Sequence, residues 1–228
     1  MQGDIEIIGI VSALKSEIEG FKEKLRDIKE INLKNHKFNV GYLDNKKIAF
    51  TDSGIGKVNA AIATQMLIDN FNPNIIINTG IAGGLDKKLK HTSLVVADEL
   101  MYHDFDKRLL EEYYPFTKSF KVEKKYLEIA KNVLKNEEYF EGLIITGDQF
   151  ISDSKVQLNL REEFGALCVE MEGAAIAHTS YANDIPFMVI RCISDFADDD
   201  GETDYDNLEI VAANKASKFT INFIKELK

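Results

Sequence analysis

The chain has 228 residues, of which 45% are hydrophobic and 29% are charged, a balance typical of a globular protein with a buried core. The length suits one large α/β domain over residues 1–228. The formal net charge of −10 repels nucleic-acid phosphates and argues against a general nucleic-acid-binding surface. No apolar run approaches about 20 residues, so we expect no membrane span. The amino terminus lacks a signal-peptide pattern, and we expect a cytoplasmic protein.

The chain begins with a nearly continuous apolar run over residues 5–14, which is typical of a strand buried on both faces. Ser16 is a candidate cap for the helix that follows, and Glu17 lies in the first turn, where the helix dipole favours negative charge. Because Glu17 also follows a strand end, two interpretations of this residue remain open: an ordinary acid of the first helical turn, and a catalytic acid. Residues 36–52 have the pattern of a hairpin with its turn at 44–45.

Two glycine-rich segments follow the hairpin. Residues 53–59 open a helix over 60–71, where a glycine-rich turn can hold an anion. This turn lacks the dinucleotide fingerprint and the P-loop pattern, so a simple strand-to-helix turn is at least as compatible. A buried strand over 75–78 leads into residues 79–84, whose three glycines let a ligand approach the backbone. We interpret residues 79–84 as a ligand-binding loop.

The middle of the chain has weaker signals. Residues 107–122 are aromatic and charged without a clear period, and we interpret them as an excursion, a lid or an interface. Phe150 follows a short strand over 142–146, and it is either a base-stacking ring or, judged by itself, a core residue. Cys168 and Cys192 lie in strand-like contexts, and we expect them to be buried core residues.

Residues 169–195 place acidic groups at two strand ends. A short strand delivers Glu170 and Glu172, and a second apolar strand over 187–191 is followed by Asp195. In an open α/β sheet, ligands bind outside the carboxyl ends of the strands. The alternation of strands and helices along the chain predicts a single-domain, three-layer α/β/α fold with a central, mostly parallel mixed sheet.

These acidic and aromatic residues suit cleavage of an N-glycosidic bond. A carboxylate can accept both ribose hydroxyls, an aromatic ring can stack on the base, and further carboxylic acids can protonate the base and activate water. We expect no cofactor and no metal, because His103 with Asp104 and Asp106 is more typical of a loop hydrogen-bond network.

Six motifs follow one another along the chain: SGIGKVNAA (53–61), IINTGIAGGL (76–85), YHD (102–104), GDQFI (147–151), VEMEGAAIAH (169–178) and RCISDFAD (191–198). Together, in this order, they resemble the 5′-methylthioadenosine/S-adenosylhomocysteine nucleosidase family of the purine nucleoside phosphorylase superfamily. The resemblance implies a nucleoside phosphorylase-like fold, a homodimer and a nucleoside substrate. It also implies hydrolysis of methylthioadenosine and adenosylhomocysteine, with 5′-deoxyadenosine as a further candidate, to adenine and a 5′-modified ribose in methionine salvage.

The resemblance also assigns the reaction to particular residues. Glu17 would activate the attacking water, and Asp195, with Ser194 beside it, would give a proton to purine N7. Glu172 would hold the ribose 2′- and 3′-hydroxyls, with Met171 packed on the sugar. An aspartate has an unperturbed pKa of about 4, so this role requires burial to raise the pKa of Asp195.

The resemblance assigns four more residues to the substrate. Phe150 would stack on adenine, the backbone of Ile151 would read the adenine edge, and Tyr205 would face the 5′-substituent. Ile81 stands where these enzymes usually carry serine or threonine, which removes a hydroxyl expected near the catalytic acid. Residues 105–120 match the family least, so the preferred 5′-group stays open.

Two alternatives remain beside hydrolysis. One is a phosphate-dependent phosphorylase of the same fold, and the other is a nucleoside-binding protein without turnover. Residues 13–17 offer one lysine, no arginine and an acid that would repel phosphate, which favours hydrolysis.

Overall fold

The computed structural model describes residues 6–196 and 205–227, in which strands and helices alternate as the sequence predicts. The strands are β1 (Ile7–Ser12), β2 (Arg26–Leu33), β3 (His36–Leu43), β4 (Lys46–Asp52), β5 (Ile75–Gly84), β6 (Leu94–Tyr102), β7 (Phe120–Lys121), β8 (Tyr139–Thr146), β9 (Cys168–Glu170) and β10 (Phe187–Asp195). The helices are α1 (Lys15–Lys22), α2 (Lys57–Phe71), α3 (Lys107–Glu112), α4 (Lys124–Val133), α5 (Ser154–Phe164), α6 (Gly173–Ala182) and α7 (Tyr205–Glu226).

The described strands form one mixed sheet in the order β10-β6-β8-β9-β5-β1-β4-β3-β2, with β7 beside β6. Strand β10 also pairs with β5, so β10, β6, β8, β9 and β5 close into a ring, from which the other strands extend. The pairings of β1 with β4 and β5, of β5 with β10, and of β8 with β6 and β9 are parallel. The hairpin strands and the short strands β7 and β9 add antiparallel pairings. The α/β fold with a mixed sheet is therefore confirmed.

Five of the helices pack on this sheet in two groups, α2 with α6, and α1 and α4 with α7. The central strands β1, β5 and β10 are almost entirely buried, and in β10 this holds for every residue from Phe187 to Ser194. Cys168 and Cys192 are free and fully buried, which confirms them as core residues. In the described ranges, no helix combines the length and the hydropathy that crossing a bilayer requires.

Two local predictions differ from the structure, and one strand was not predicted. Residues 79–84 are not a loop, because β5 continues to Gly84 by pairing with β10 and, at its end, with β9. Ser16 does not cap α1, since the helix already begins at Lys15. Strand β2 has no apolar pattern that would predict it, because it pairs with β3 alone and most of its side chains are exposed.

Candidate active site

A cavity of about 260 Å³ lies where β1, β5, β8, β9 and β10 end. The carboxyl end of each of these strands contributes residues to the lining, as expected for an α/β sheet. Eight of the nine predicted site residues line it: Glu17, Ile81, Phe150, Ile151, Met171, Glu172, Ser194 and Asp195. Tyr205 begins α7, and the position of its side chain lies outside the described part of the chain.

Glu17 is both a structural acid and a candidate base. Its Oε2 accepts hydrogen bonds from the N–H groups of Ala13 and Leu14, each at 2.9 Å, which satisfies free donors at the start of α1. Its Oε1 accepts from the N–H of Ile81 at 3.0 Å and lies 3.9 Å from the Arg191 guanidinium. Burial raises the pKa of Glu17, against the opposing effects of Arg191 and the three N–H groups. Glu17 is therefore an acid of the first turn of α1 and, at the same time, a candidate catalytic residue of the cavity.

The close approach of β5 to this carboxylate depends on Gly80. A Cβ at this position would overlap both the carboxylate of Glu17 and the guanidinium of Arg191. The backbone N–H of Ile81 donates to the same carboxylate, and this bond does not depend on the side chain at position 81. The Ile81 side chain packs against the main hydrophobic core.

Glu172 is held at the start of α6 with its carboxylate facing the cavity. It accepts a hydrogen bond from the N–H of Gly56 at 2.9 Å and lies 3.5 Å from Arg191. Burial raises the pKa of Glu172 to about 7, and the nearby charge of Glu170 adds to this shift. The glycine-rich turn at 53–59 therefore binds a carboxylate of the protein itself, through the N–H of Gly56.

Asp195 and Ser194 close the cavity at the end of β10. The Ser194 hydroxyl donates to Asp195 Oδ2 at 2.6 Å, and a register shift between Ile193 and Asp195 places Asp195 beside Gly83 of β5. A Cβ on residue 83 would lie 3.3 Å from Asp195 Oδ1, so any residue larger than glycine would crowd this carboxylate. The pair forms a compact polar group at the strand end.

Phe150 and Ile151 lie in the loop between β8 and α5, and Met171 lies between β9 and α6. The side chain of Phe150 is 66% exposed, so the interpretation of this residue as core is wrong. An exposed ring at a cavity wall is available to stack on a flat ligand. The same loop carries Asp148, which accepts a hydrogen bond from the N–H of Lys57 at 2.8 Å.

Arg191 is the residue of this site whose importance the sequence did not reveal. It is 1% exposed, donates to Asn78 Oδ1 at 2.7 Å and to Glu170, and lies close to the carboxylates of Glu17 and Glu172. A buried guanidinium is costly unless it is paired, and these partners provide the pairing. The available signal was one arginine in an otherwise apolar strand.

Known proteins match nearly the whole length of this chain. Residues 7–227 match the family model of the phosphorylase superfamily. A 5′-methylthioadenosine/S-adenosylhomocysteine nucleosidase from Staphylococcus carnosus is 36% identical over 97% of this chain and 100% of its own length.

Solved structures also match this chain over nearly its whole length. The S-adenosylhomocysteine nucleosidase of Streptococcus pyogenes, in complex with 5-methylthiotubericidin, superposes with a TM-score of 0.93 at 30% identity, covering 100% of both chains. The futalosine hydrolase of Helicobacter pylori has a TM-score of 0.90 at 32% identity, covering 98% of this chain and 99% of its own. The chain belongs to the phosphorylase superfamily and, within it, to the 5′-methylthioadenosine/S-adenosylhomocysteine nucleosidase family.

Proposed function

We propose that this chain hydrolyses the N-glycosidic bond of 5′-methylthioadenosine and S-adenosylhomocysteine, releasing adenine and a 5′-modified ribose. The observation that carries the proposal is that Glu17, Glu172 and Asp195, from three distant parts of the sequence, line one cavity together with an exposed aromatic ring. A binding site alone does not require a buried acid suited to water activation beside the sugar site, so this arrangement favours turnover.

The sugar is held by Glu172 in this mechanism. An ionised carboxylate accepts hydrogen bonds from both the 2′- and 3′-hydroxyls, and these bonds strengthen as the sugar becomes oxocarbenium-like. Met171 packs on the ribose, Phe150 stacks on adenine, and the backbone of Ile151 reads the adenine edge. Tyr205 is proposed to face the 5′-substituent.

Bond cleavage requires an acid that protonates the departing adenine and a general base that takes a proton from the attacking water. Asp195, supported by Ser194, gives its proton to purine N7, so that adenine leaves neutral as the C1′–N9 bond breaks. Glu17 takes a proton from the water that attacks C1′, and the water oxygen becomes the new C1′ hydroxyl. Burial raises the pKa of Glu17, which brings it closer to the range where a carboxylate is an effective base.

Phosphorolysis fits this cavity less well. A phosphate nucleophile needs cationic or donor groups near C1′, and the guanidinium that lines the cavity, Arg191, is already paired with carboxylates. A phosphate there would also meet the charges of Glu17 and Glu172.

The test is adenine release from purified protein in phosphate-free buffer and again with added phosphate. The substrate panel is methylthioadenosine, adenosylhomocysteine, 5′-deoxyadenosine and an aminodeoxyfutalosine-type nucleoside, which all carry adenine and differ only in the 5′-group. We expect equal adenine release with and without phosphate. Strict dependence on phosphate would assign the chain to the phosphorylases, and binding without release would make it a nucleoside-binding protein.

We further propose that the enzyme works as a cytoplasmic homodimer in methionine salvage. Support for association comes from a set of large apolar side chains that are more than one-third exposed on α2, α6 and the 105–116 region: Val58, Ile62, Phe105, Leu109, Tyr113, Tyr114, Phe116 and Tyr181. Large exposed apolar side chains in such number favour a protein interface. Sedimentation velocity on the full chain would distinguish a dimer from a monomer.

A further inference from the structure

Glu170 is a buried carboxylate whose oxygens are occupied by donors from the protein itself. Its Oε2 accepts hydrogen bonds from the N–H groups of Glu172 at 2.9 Å and Gly173 at 2.7 Å, and from the guanidinium of Arg191. Its Oε1 accepts from the hydroxyl of Thr146. The residue is 6% exposed and lines the cavity, yet none of the roles proposed above uses it.

The partners of Glu170 include the first turn of α6 and Arg191, which both adjoin the residue proposed to hold the ribose. The N–H groups of Glu172 and Gly173 lie where α6 begins, so the bonds fix the residue proposed to hold the ribose. Arg191 comes from β10 and extends from Glu170 towards the carboxylates of Glu172 and Glu17, at 3.5 Å and 3.9 Å. Glu170 therefore connects β8, β9, β10 and α6 at a single point.

We propose that Glu170 is a positioning residue: it fixes Arg191 and the first turn of α6, and through them it orients Glu172 towards the ribose hydroxyls. The inference rests on the proposed nucleosidase function and deepens it. Glu170 does not touch the substrate in this scheme. It acts through Glu172 and Arg191.

The charges around Glu172 give this role a measurable signature. Glu172 faces Glu170 on β9, Arg191 on β10, Glu17 on α1 and the N–H of Gly56 before α2. Burial raises the pKa of Glu172 to about 7; Glu170 and Glu17 add to the shift, while Arg191 and the N–H of Gly56 oppose it. Since Glu172 must be ionised to accept the hydroxyls, activity falls as the pH drops through this pKa. Removing the charge of Glu170 lowers that pKa, so the fall in activity moves to lower pH.

The experiment compares Glu170→Gln with the unmodified enzyme, measuring kcat and KM for adenine release from methylthioadenosine across the pH range. Glu163→Gln is the control, because Glu163 is an exposed acid that pairs with Lys107 outside the cavity. We expect kcat of Glu170→Gln to fall by about 100-fold at neutral pH, the size of effect that a small misplacement of reacting groups produces. We also expect the acidic limb of its pH profile to move to lower pH, with the control unchanged in both.

Thr146 gives a second test in case Glu170→Gln does not fold. Thr146→Val removes a donor to Glu170 without changing any charge, and Thr146→Ser keeps the hydroxyl. The hydroxyl also accepts from the N–H of Ala174 at 2.8 Å, so thermal melting is measured for each variant. We expect the valine variant to lose kcat and the serine variant to recover it.

Two results would overturn the inference. In the first, the acidic limb of the pH profile of Glu170→Gln stays in place and its activity falls only in proportion to the loss of folded protein. In the second, Thr146→Val and Thr146→Ser have equal kcat. Failure of the proposed function looks different, because the unmodified chain would then release no adenine from any nucleoside of the panel.

Discussion

The neighbouring Ser194 and the adjacent strand β5 both help to position Asp195. The hydroxyl of Ser194 donates to its Oδ2 at 2.6 Å, and Gly83 lies beside it in the sheet. Asparagine has nearly the same shape and keeps an oxygen that accepts from Ser194, but it cannot give a proton to purine N7.

For Asp195→Asn we therefore expect kcat to fall by about 10²–10⁴-fold, the usual contribution of a general acid, with little change in melting temperature. Steady-state kinetics and thermal melting on the same preparation provide the measurement. A kcat close to that of the unmodified enzyme would mean that Asp195 is not the acid.

At the residue scale, the family resemblance assigned roles that no single motif could assign. Glu172 and Asp195 lie in the quoted motifs and Glu17 precedes all of them, and the structure brings the three to one cavity. Glu170 and Arg191 lie in the same two motifs, and Glu170 was recognised as an acid at a strand end, but their contacts were not predicted because they join strands that are distant in sequence. No local pattern records such contacts.

At the scale of elements, an ion-pair cluster of one lysine and two aspartates joins three segments of the chain. The Nζ of Lys57 lies 2.6 Å from Asp104 Oδ1 and 3.6 Å from Asp148 Oδ2, and the N–H of Asp148 donates to Asp104 at 2.8 Å. Through these contacts the loop that carries Phe150 is tied to the turn whose Gly56 holds Glu172.

We expect Lys57→Met to raise KM for methylthioadenosine by roughly 3- to 10-fold with little change in kcat, since partly exposed ion pairs contribute about 1 kcal/mol or less each. The reason is that loss of the cluster frees the Phe150 loop while leaving Glu17 and Asp195 in place. Lys125→Met is the matched control, because Lys125 pairs with Glu123 on the surface. A lowered kcat with unchanged KM would show that the cluster does not act on the loop.

Buried strands could be predicted from the sequence, because burial on both faces requires a run of apolar residues. The apolar runs of β1, β5, β8 and β10 were recognised, although β5 extends through the glycines that suggested a loop. That extension follows from pairing on both sides, which the sequence does not display. The exposed strand β2 shows the opposite case, since an edge strand with polar side chains has no hydrophobic period to detect.

At the scale of the whole molecule, closing five strands into a ring is what brings the site together. Arg191 on β10 contacts Asn78 on β5 and Glu170 on β9, so its bonds span three strands of the ring. The α/β class followed from the alternation of elements, whereas the ring depends on the second pairing of β10, which no local signal predicts. Glu17 reaches the same place from α1, more than 150 positions earlier in the chain than Glu172.

Glu17 is proposed to activate water in this cavity, and Glu17→Gln removes that capacity while keeping the size of the side chain. The decisive measurement pairs the rate of adenine release from methylthioadenosine with the affinity of the same variant for a non-hydrolysable adenosine analogue. We expect turnover to be abolished, or reduced by about 10²–10⁴-fold or more, because an amide cannot accept the proton of the attacking water, while the analogue still binds. Near-normal turnover in Glu17→Gln would contradict the assignment of Glu17 as the base.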